Sequence, residues 1–110
     1  MDTILEGKVV TGKGYGRTIG FPTVNLEKGI DAPQVDSGVY AGTAILEGKE
    51  YRAGIVVDPN QKVEAHLIDY TGDAYGKMVT LKIKKFLRAW RNFGNEQDLI
   101  IQIKKDLVQC

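Results

Sequence analysis

The chain has 110 residues, 15 Lys and Arg against 14 Asp and Glu, a net charge of +1 and one cysteine, Cys110, at its last position. That length holds one domain around one core, and near-neutrality gives no global field for a polyanion, although Lys82 to Arg91 is locally basic. The apolar stretches are too short to span a bilayer, Met1-Asp2-Thr3-Ile4 is no secretory signal, and a lone cysteine forms no internal disulfide, so a single-domain cytoplasmic monomer that binds neither nucleic acid nor membrane is expected.

Glu6 to Thr11 is a short β-prone segment that runs into Gly12, Gly14, Gly16 and Gly20, a long glycine-rich loop. A strand from Ser37-Gly38 to Ile45 and a return strand from Tyr51 to Val57 flank Glu47-Gly48-Lys49, which reads as a hairpin turn. Asp58-Pro59-Asn60-Gln61 is a second turn, with proline fixing φ and Asn60 suited to left-handed backbone. From about Lys62 to Tyr70, Val63, Ala65 and Leu67 alternate with Glu64, His66 and Ile68. Thr71-Gly72-Asp73 turns the chain, and Lys77 to Leu87 alternates strictly before its apolar end at Phe86-Leu87.

The period then changes. Leu99, Ile100, Ile103 and Leu107 form one helical stripe, with Asn95 and Asp98 as capping oxygens. Hairpins followed by one amphipathic helix predict a closed or nearly closed β-barrel whose open side or end the helix covers.

The glycine loop matches neither common phosphate-binding motif. Gly7 to Lys13 follows a P-loop, but Gly14 stands where a Ser or Thr must reach magnesium, and Pro22 opposes the helix that must follow. Counted from Gly12, Arg17 occupies the third glycine of a dinucleotide fingerprint. Two readings stay open: amides that fold over phosphates with Lys13 and Arg17 as cations, or a surface loop with solvated charges.

The run Gly16-Arg17-Thr18-Ile19-Gly20-Phe21-Pro22-Thr23-Val24-Asn25 resembles the signature of the riboflavin kinase (flavokinase) family, with Val24 in place of the usual alanine. Gly38-Val39-Tyr40, Glu64-Ala65-His66, Asp73-Ala74-Tyr75-Gly76 and Leu87-Arg88 to Phe93 resemble further family segments, in family order along nearly the whole chain. The resemblance implies a six-stranded antiparallel Greek-key barrel with one C-terminal helix. It also implies an ATP- and Mg²⁺-dependent phosphotransferase that converts riboflavin to FMN, with riboflavin, FMN, ATP and ADP as its ligands.

Residue roles follow from the same resemblance. Thr23 and Asn25 would hold Mg²⁺, a hard cation that takes oxygen ligands and keeps waters and phosphate oxygens around it. Glu64, which read alone is a solvated outer-face residue, would be the catalytic carboxylate; His66 on the same face is taken as structural or as a support behind the site residues. Gly12, Gly14 and Arg17 would meet the phosphates, Leu67, Asp69 and Tyr75 the nucleoside, and Arg88, Arg91 and Phe93 the flavin or its ribityl tail.

Three departures from the family stand out. The stretch between the third and fourth predicted strands is only Asp58 to Gln61, Trp90 replaces a common acidic residue and offers stacking surface, and Arg91 replaces a lysine. The adenylyltransferase half of the bifunctional bacterial chains has no counterpart in these residues, so FMN without FAD is expected from a stand-alone or an excised kinase. A flavin- or nucleotide-binding module without turnover is the alternative, and a barrel that binds partners or nucleic acid through its basic strand is a third, which near-neutral charge disfavours.

Overall fold

Alternating apolar and polar side chains run as far as Arg88, and a chain with that period buries one side of each strand. The computed structural model describes residues 3–10, 20–28 and 32–110. Six strands form: β1 (Thr3–Val10), β2 (Val24–Lys28), β3 (Gly38–Leu46), β4 (Lys49–Val57), β5 (Val63–Leu67) and β6 (Met78–Arg88). One helix, α1, follows at Glu96–Val108. The strands close in the order β1-β2-β5-β4-β3-β6, and every pairing is antiparallel. β3, β4 and β5 follow one another as neighbours and β6 returns beside β3, which is a Greek key. The expected six-stranded barrel with one helix is therefore present.

Inward residues from all six strands make one core. Leu5, Leu46, Ile55, Val57, Val63, Val79 and Leu81 are its largest fully buried members. Burial of this kind stabilises by roughly 25 cal/mol for each Å² of apolar surface removed from water. Val35 and Ala74, from the loops, plug into the same cluster. Gln61 fixes the first of these, since its side-chain amide donates to the Val35 carbonyl (2.6 Å) and accepts from the Val35 N–H (3.2 Å).

The turns differ in detail from the sequence reading. The hairpin loop is Glu47-Gly48 alone, both at positive φ (52° and 77°), which is the twist a two-residue hairpin requires. In the Asp58–Gln61 turn the left-handed residue is Gln61 (φ 65°), not Asn60. Asp58 decides this by accepting from the Asn60 and Lys62 amides at 2.8 and 2.9 Å. β5 ends at Leu67 rather than Tyr70, because Asp69 at φ 65° turns the backbone out of the ladder. β6 does not alternate strictly: irregular register between Ala41 and Gly42 and between Val39 and Tyr40 leaves Lys84, Lys85 and Phe86 all exposed.

The closed barrel has no open side for the helix to cover. α1 instead approaches β3 and β4 from outside, with Leu107 against the bare backbone of Gly54. Its start is capped as expected, the Asn95 side chain accepting from the Asp98 amide at 2.8 Å. The expected stripe is incomplete, because Asp106, a charged residue, is the buried position of the helix.

Two consequences can be measured. A Cβ on Gly7 would collide with the Glu27 carbonyl where β1 and β2 approach each other, so Gly7→Ala is expected to lower stability by about 1–3 kcal/mol, the usual cost of overpacking, in urea unfolding. The buried Tyr40 hydroxyl donates to the Asp36 carbonyl at 2.6 Å, and burial first, then the Asp36 charge, push its pKa up. A raised phenol pKa favours the protonated folded form, so its contribution is complete below the unfolded tyrosine value of about 10 and is lost as pH rises from there through the raised folded value. Tyr40→Phe is therefore expected to flatten the alkaline limb of a stability-against-pH curve.

Candidate functional site

β5 lies between β2 and β4, so its outward side chains, Glu64 and His66, stand on the outer barrel wall. Antiparallel register sets Asn25 and Val56 opposite Glu64, and Gly54 opposite His66. The β2–β5 ladder begins at Val24 and Ala65, which leaves Pro22 and Thr23 just beyond it. Both are held from β5 by side chains. Thr23 Oγ1 donates to Glu64 Oε1 at 3.1 Å, and His66 Nδ1 donates to the Pro22 carbonyl at 2.7 Å, since a carbonyl oxygen only accepts. Phe21 meets the His66 ring edge to face, centroids 6.0 Å apart.

Two cavities meet at this turn. One, of about 710 Å³, lies between the Glu64–His66 wall, the segment from Arg88 to Asn95 and the apolar stripe of α1. The other, of about 740 Å³, is bounded by Val9, Asn25, Leu67 and the turn from Tyr70 to Tyr75. Among the described residues, Thr23 alone lines both. Asp73 shapes the second rim by accepting from the Tyr75 amide (2.9 Å), while Gly76, at φ 81°, donates to the Val9 carbonyl (2.9 Å). Tyr75 is left 63% exposed at the edge.

The first cavity is apolar on one side and charged on the other. Val39, Val56, Trp90, Phe93, Leu99 and Ile103 supply apolar surface. Arg88 places Nε (3.1 and 3.2 Å) and Nη2 (2.9 Å) on the Asp106 carboxylate, which also accepts from Gln102 at 2.9 Å. The guanidinium groups of Arg88 and Arg91 lie 5.5 and 4.6 Å from the Phe93 ring centre, within cation–π range. Arg91 has no ion pair among the described residues. Cys110 closes the far end of α1, and its thiol is pushed up by burial and then by the Asp106 charge, with Arg52 opposing. That favours the protonated thiol at neutral pH.

Thr23 reaches the outward Glu64 with its hydroxyl and Asn25 pairs opposite Glu64, so both side chains lie on the outer face. Both offer neutral oxygens. The Thr23 proton is directed at Glu64, which leaves the hydroxyl lone pairs turned away from the carboxylate. No group of three His, Cys, Asp or Glu suited to a metal exists among the described residues. A hard cation held here would complete its shell with water and phosphate oxygens, which suits Mg²⁺.

The family model for riboflavin kinase, described as Flavokinase, matches residues 2–110. The chain belongs to the riboflavin kinase family. The bifunctional riboflavin kinase/FMN adenylyltransferase of Escherichia coli K12 is 33% identical over 93% of this chain and 35% of its own length. The RNA-binding riboflavin kinase RibR of Bacillus subtilis is 33% identical over 96% of this chain and 48% of its own. The chain thus spans about a third to a half of these curated relatives. Among solved structures, riboflavin kinase from Trypanosoma brucei superposes with a TM-score of 0.72 at 24% identity, covering 96% of this chain and 75% of that one, which is a likeness of fold. A Streptococcus pneumoniae structure described as a macrolide-efflux protein gives 0.87 at 29% identity, over 94% of this chain and 36% of that one.

Within this riboflavin kinase fold, Glu64, Arg88, Arg91 and Phe93 line the first cavity and Asn25, Leu67 and Tyr75 the second, with Thr23 between. Asp69 is exposed and lines neither. Gly12, Gly14 and Arg17 lie outside the described residues, as does Lys13. Sequence reasoning missed Asp106, which sits where the helical stripe has an apolar neighbour on each side, and missed the bond from His66 to Pro22. A carboxylate at the seventh position after Leu99, on the stripe's own face, was the available signal for the first.

The two arginines are expected to behave differently. Arg88→Met would strand the Asp106 carboxylate and lower stability by about 2–3 kcal/mol, under the range for fully buried pairs because the Arg88 side chain is 21% exposed. Arg91→Met, which breaks no ion pair among the described residues, is expected to stay within about 0.5 kcal/mol of the parent in the same chemical denaturation.

Proposed function

We propose that the chain phosphorylates riboflavin: the γ-phosphoryl of ATP passes to the primary ribityl hydroxyl, giving FMN and ADP. The observation that carries the reading is the position of Thr23, bonded to Glu64 and shared by two cavities, because a two-substrate transfer needs its reactants to meet at one point. The first cavity suits riboflavin. Trp90 and Phe93 offer aromatic surface to a flat ring system, and Arg88 and Arg91 offer donors to its polar edges. The second cavity takes the nucleotide, with Leu67 and Tyr75 toward the nucleoside; the family resemblance assigns phosphate contacts to Gly12, Gly14 and Arg17, which lie outside the described residues.

In the transfer an oxygen–phosphorus bond forms at the ribityl oxygen, the bond to the ADP oxygen breaks, and the hydroxyl proton leaves. Glu64 is the group placed to orient that hydroxyl and accept its proton. The Thr23 hydroxyl fixes one carboxylate oxygen and leaves the other for the substrate. Mg²⁺, when bound, would offset the charge of the phosphate oxygens. Thr23 and Asn25 would supply its protein ligands. The remaining work is positioning, which two rigid strands are suited to do.

Incubation with riboflavin, ATP and Mg²⁺, followed by chromatography, is expected to yield FMN. Tight riboflavin binding with no FMN would favour a module without turnover. Glu64→Gln keeps the size of the side chain but cannot take the proton, so single-turnover rates should fall by about 10²–10⁴-fold with riboflavin affinity little changed. A rate within a few-fold of the parent, with the fold intact by circular dichroism, would remove Glu64 from catalysis.

Asn25→Ala is expected to weaken Mg²⁺-dependent ADP binding in calorimetry and to leave metal-free binding unaltered. Equal losses with and without metal would contradict the ligand assignment.

A further inference from the structure

Thr23 carries two jobs in the reading above, yet its backbone is outside the β-ladder, whose first pair is Val24 with Ala65. Residues 11–19 precede this turn without being part of the described structure, so the anchors seen for the turn come from the barrel side. There are two, both from outward residues of β5. Glu64 receives the Thr23 hydroxyl, and His66 Nδ1 reaches the Pro22 carbonyl at 2.7 Å, the shorter of the two contacts. The Pro22 carbonyl belongs to the peptide plane that contains the Thr23 nitrogen. Fixing that oxygen fixes the plane, and with it the direction from which the Thr23 side chain leaves the backbone.

Proline sharpens the effect. Its ring holds φ of Pro22 near −65°, so rotation about ψ of Pro22 is the main freedom by which this plane can swing, and the bond to His66 restrains that rotation. The His66 ring is held in turn by Phe21 edge to face, 6.0 Å between centroids. We propose that His66 is a positioning residue for the phosphate side of the site: its Nδ1–H locks the Pro22–Thr23 peptide so that the Thr23 hydroxyl bridges Glu64 and the metal-bound nucleotide. The inference rests on the kinase reading for the role of Thr23. It adds to that reading a function for a histidine that touches neither phosphate nor metal.

Amide side chains separate this role from simple packing. His66→Asn places an N–H close to where Nδ1 donates, whereas His66→Gln places one nearer the position of Nε2 and is closer to histidine in volume. Calorimetric binding of ADP with Mg²⁺ should be retained within about twofold in His66→Asn and weakened by about three- to tenfold in His66→Gln, the worth of one hydrogen bond. Thr23→Val is the reference variant. Combining it with His66→Gln should add no further loss, because His66 acts through Thr23.

If Thr23→Val itself binds Mg²⁺–ADP like the parent, the kinase reading of Thr23 fails. If Thr23→Val weakens binding while His66→Gln does not, or while His66→Asn is the worse of the two amides, the positioning role is overturned and His66 is a packing residue.

Discussion

The pairing of β2 with β5 is the constraint on which the site depends. β2 is five residues long, and its ladder to β5 joins two strands that are far apart in sequence. That one register sets Asn25 opposite Glu64 and closes the barrel between β1 and β5. Because strand side chains alternate, a slip by one residue would turn Asn25 and Thr23 inward and Leu26 outward. The buried Leu26 opposes that slip, and so a core contact fixes the geometry of polar groups on the outer wall.

Closure also determines where substrates can lie. A barrel whose interior is filled with Leu5, Ile55, Val63 and Leu81 has no room for a ligand, so the cavities form outside it, where loops and the helix stand off from the wall. α1 builds one of them. Its Leu107 rests on Gly54, where the missing side chain permits close approach, and the Arg88–Asp106 pair ties the helix to the end of β6. Arg88 therefore serves the architecture and lines the cavity together, while Arg91, facing the same Phe93 ring, carries a charge uncommitted to any carboxylate among the described residues.

The geometry and the donor chemistry converge on one point, Thr23, which bonds to Glu64 and lines both cavities. A hydroxyl can donate one hydrogen bond and still accept or coordinate through its lone pairs. In the proposed reading that property would let Thr23 serve a carboxylate on one side and a cation on the other, which neither a carboxylate nor an alanine does. If Thr23 and Asn25 hold Mg²⁺ as proposed, their neutral oxygens would leave the charge balance to the nucleotide and couple the affinities for metal and nucleotide.

By itself the sequence determined the strands with clear alternation, the C-terminal helix with its Asn95 cap, and, through the family resemblance, the barrel and eight of the residues that line the cavities. Local chemistry was sufficient there, because period and turn composition are properties of adjacent residues. β2 was not legible from periodicity, since Val24 to Lys28 is short and follows a glycine-rich run, and only its two partners make it a strand. The pairing of Asp106 with Arg88, the clamp of Gln61 on Val35 and the bond from His66 to Pro22 were decided by tertiary structure alone. Each joins residues distant along the chain, and a polar group's partner depends on which surfaces the closed barrel brings within 3 Å or so, a quantity that no local pattern of residues encodes.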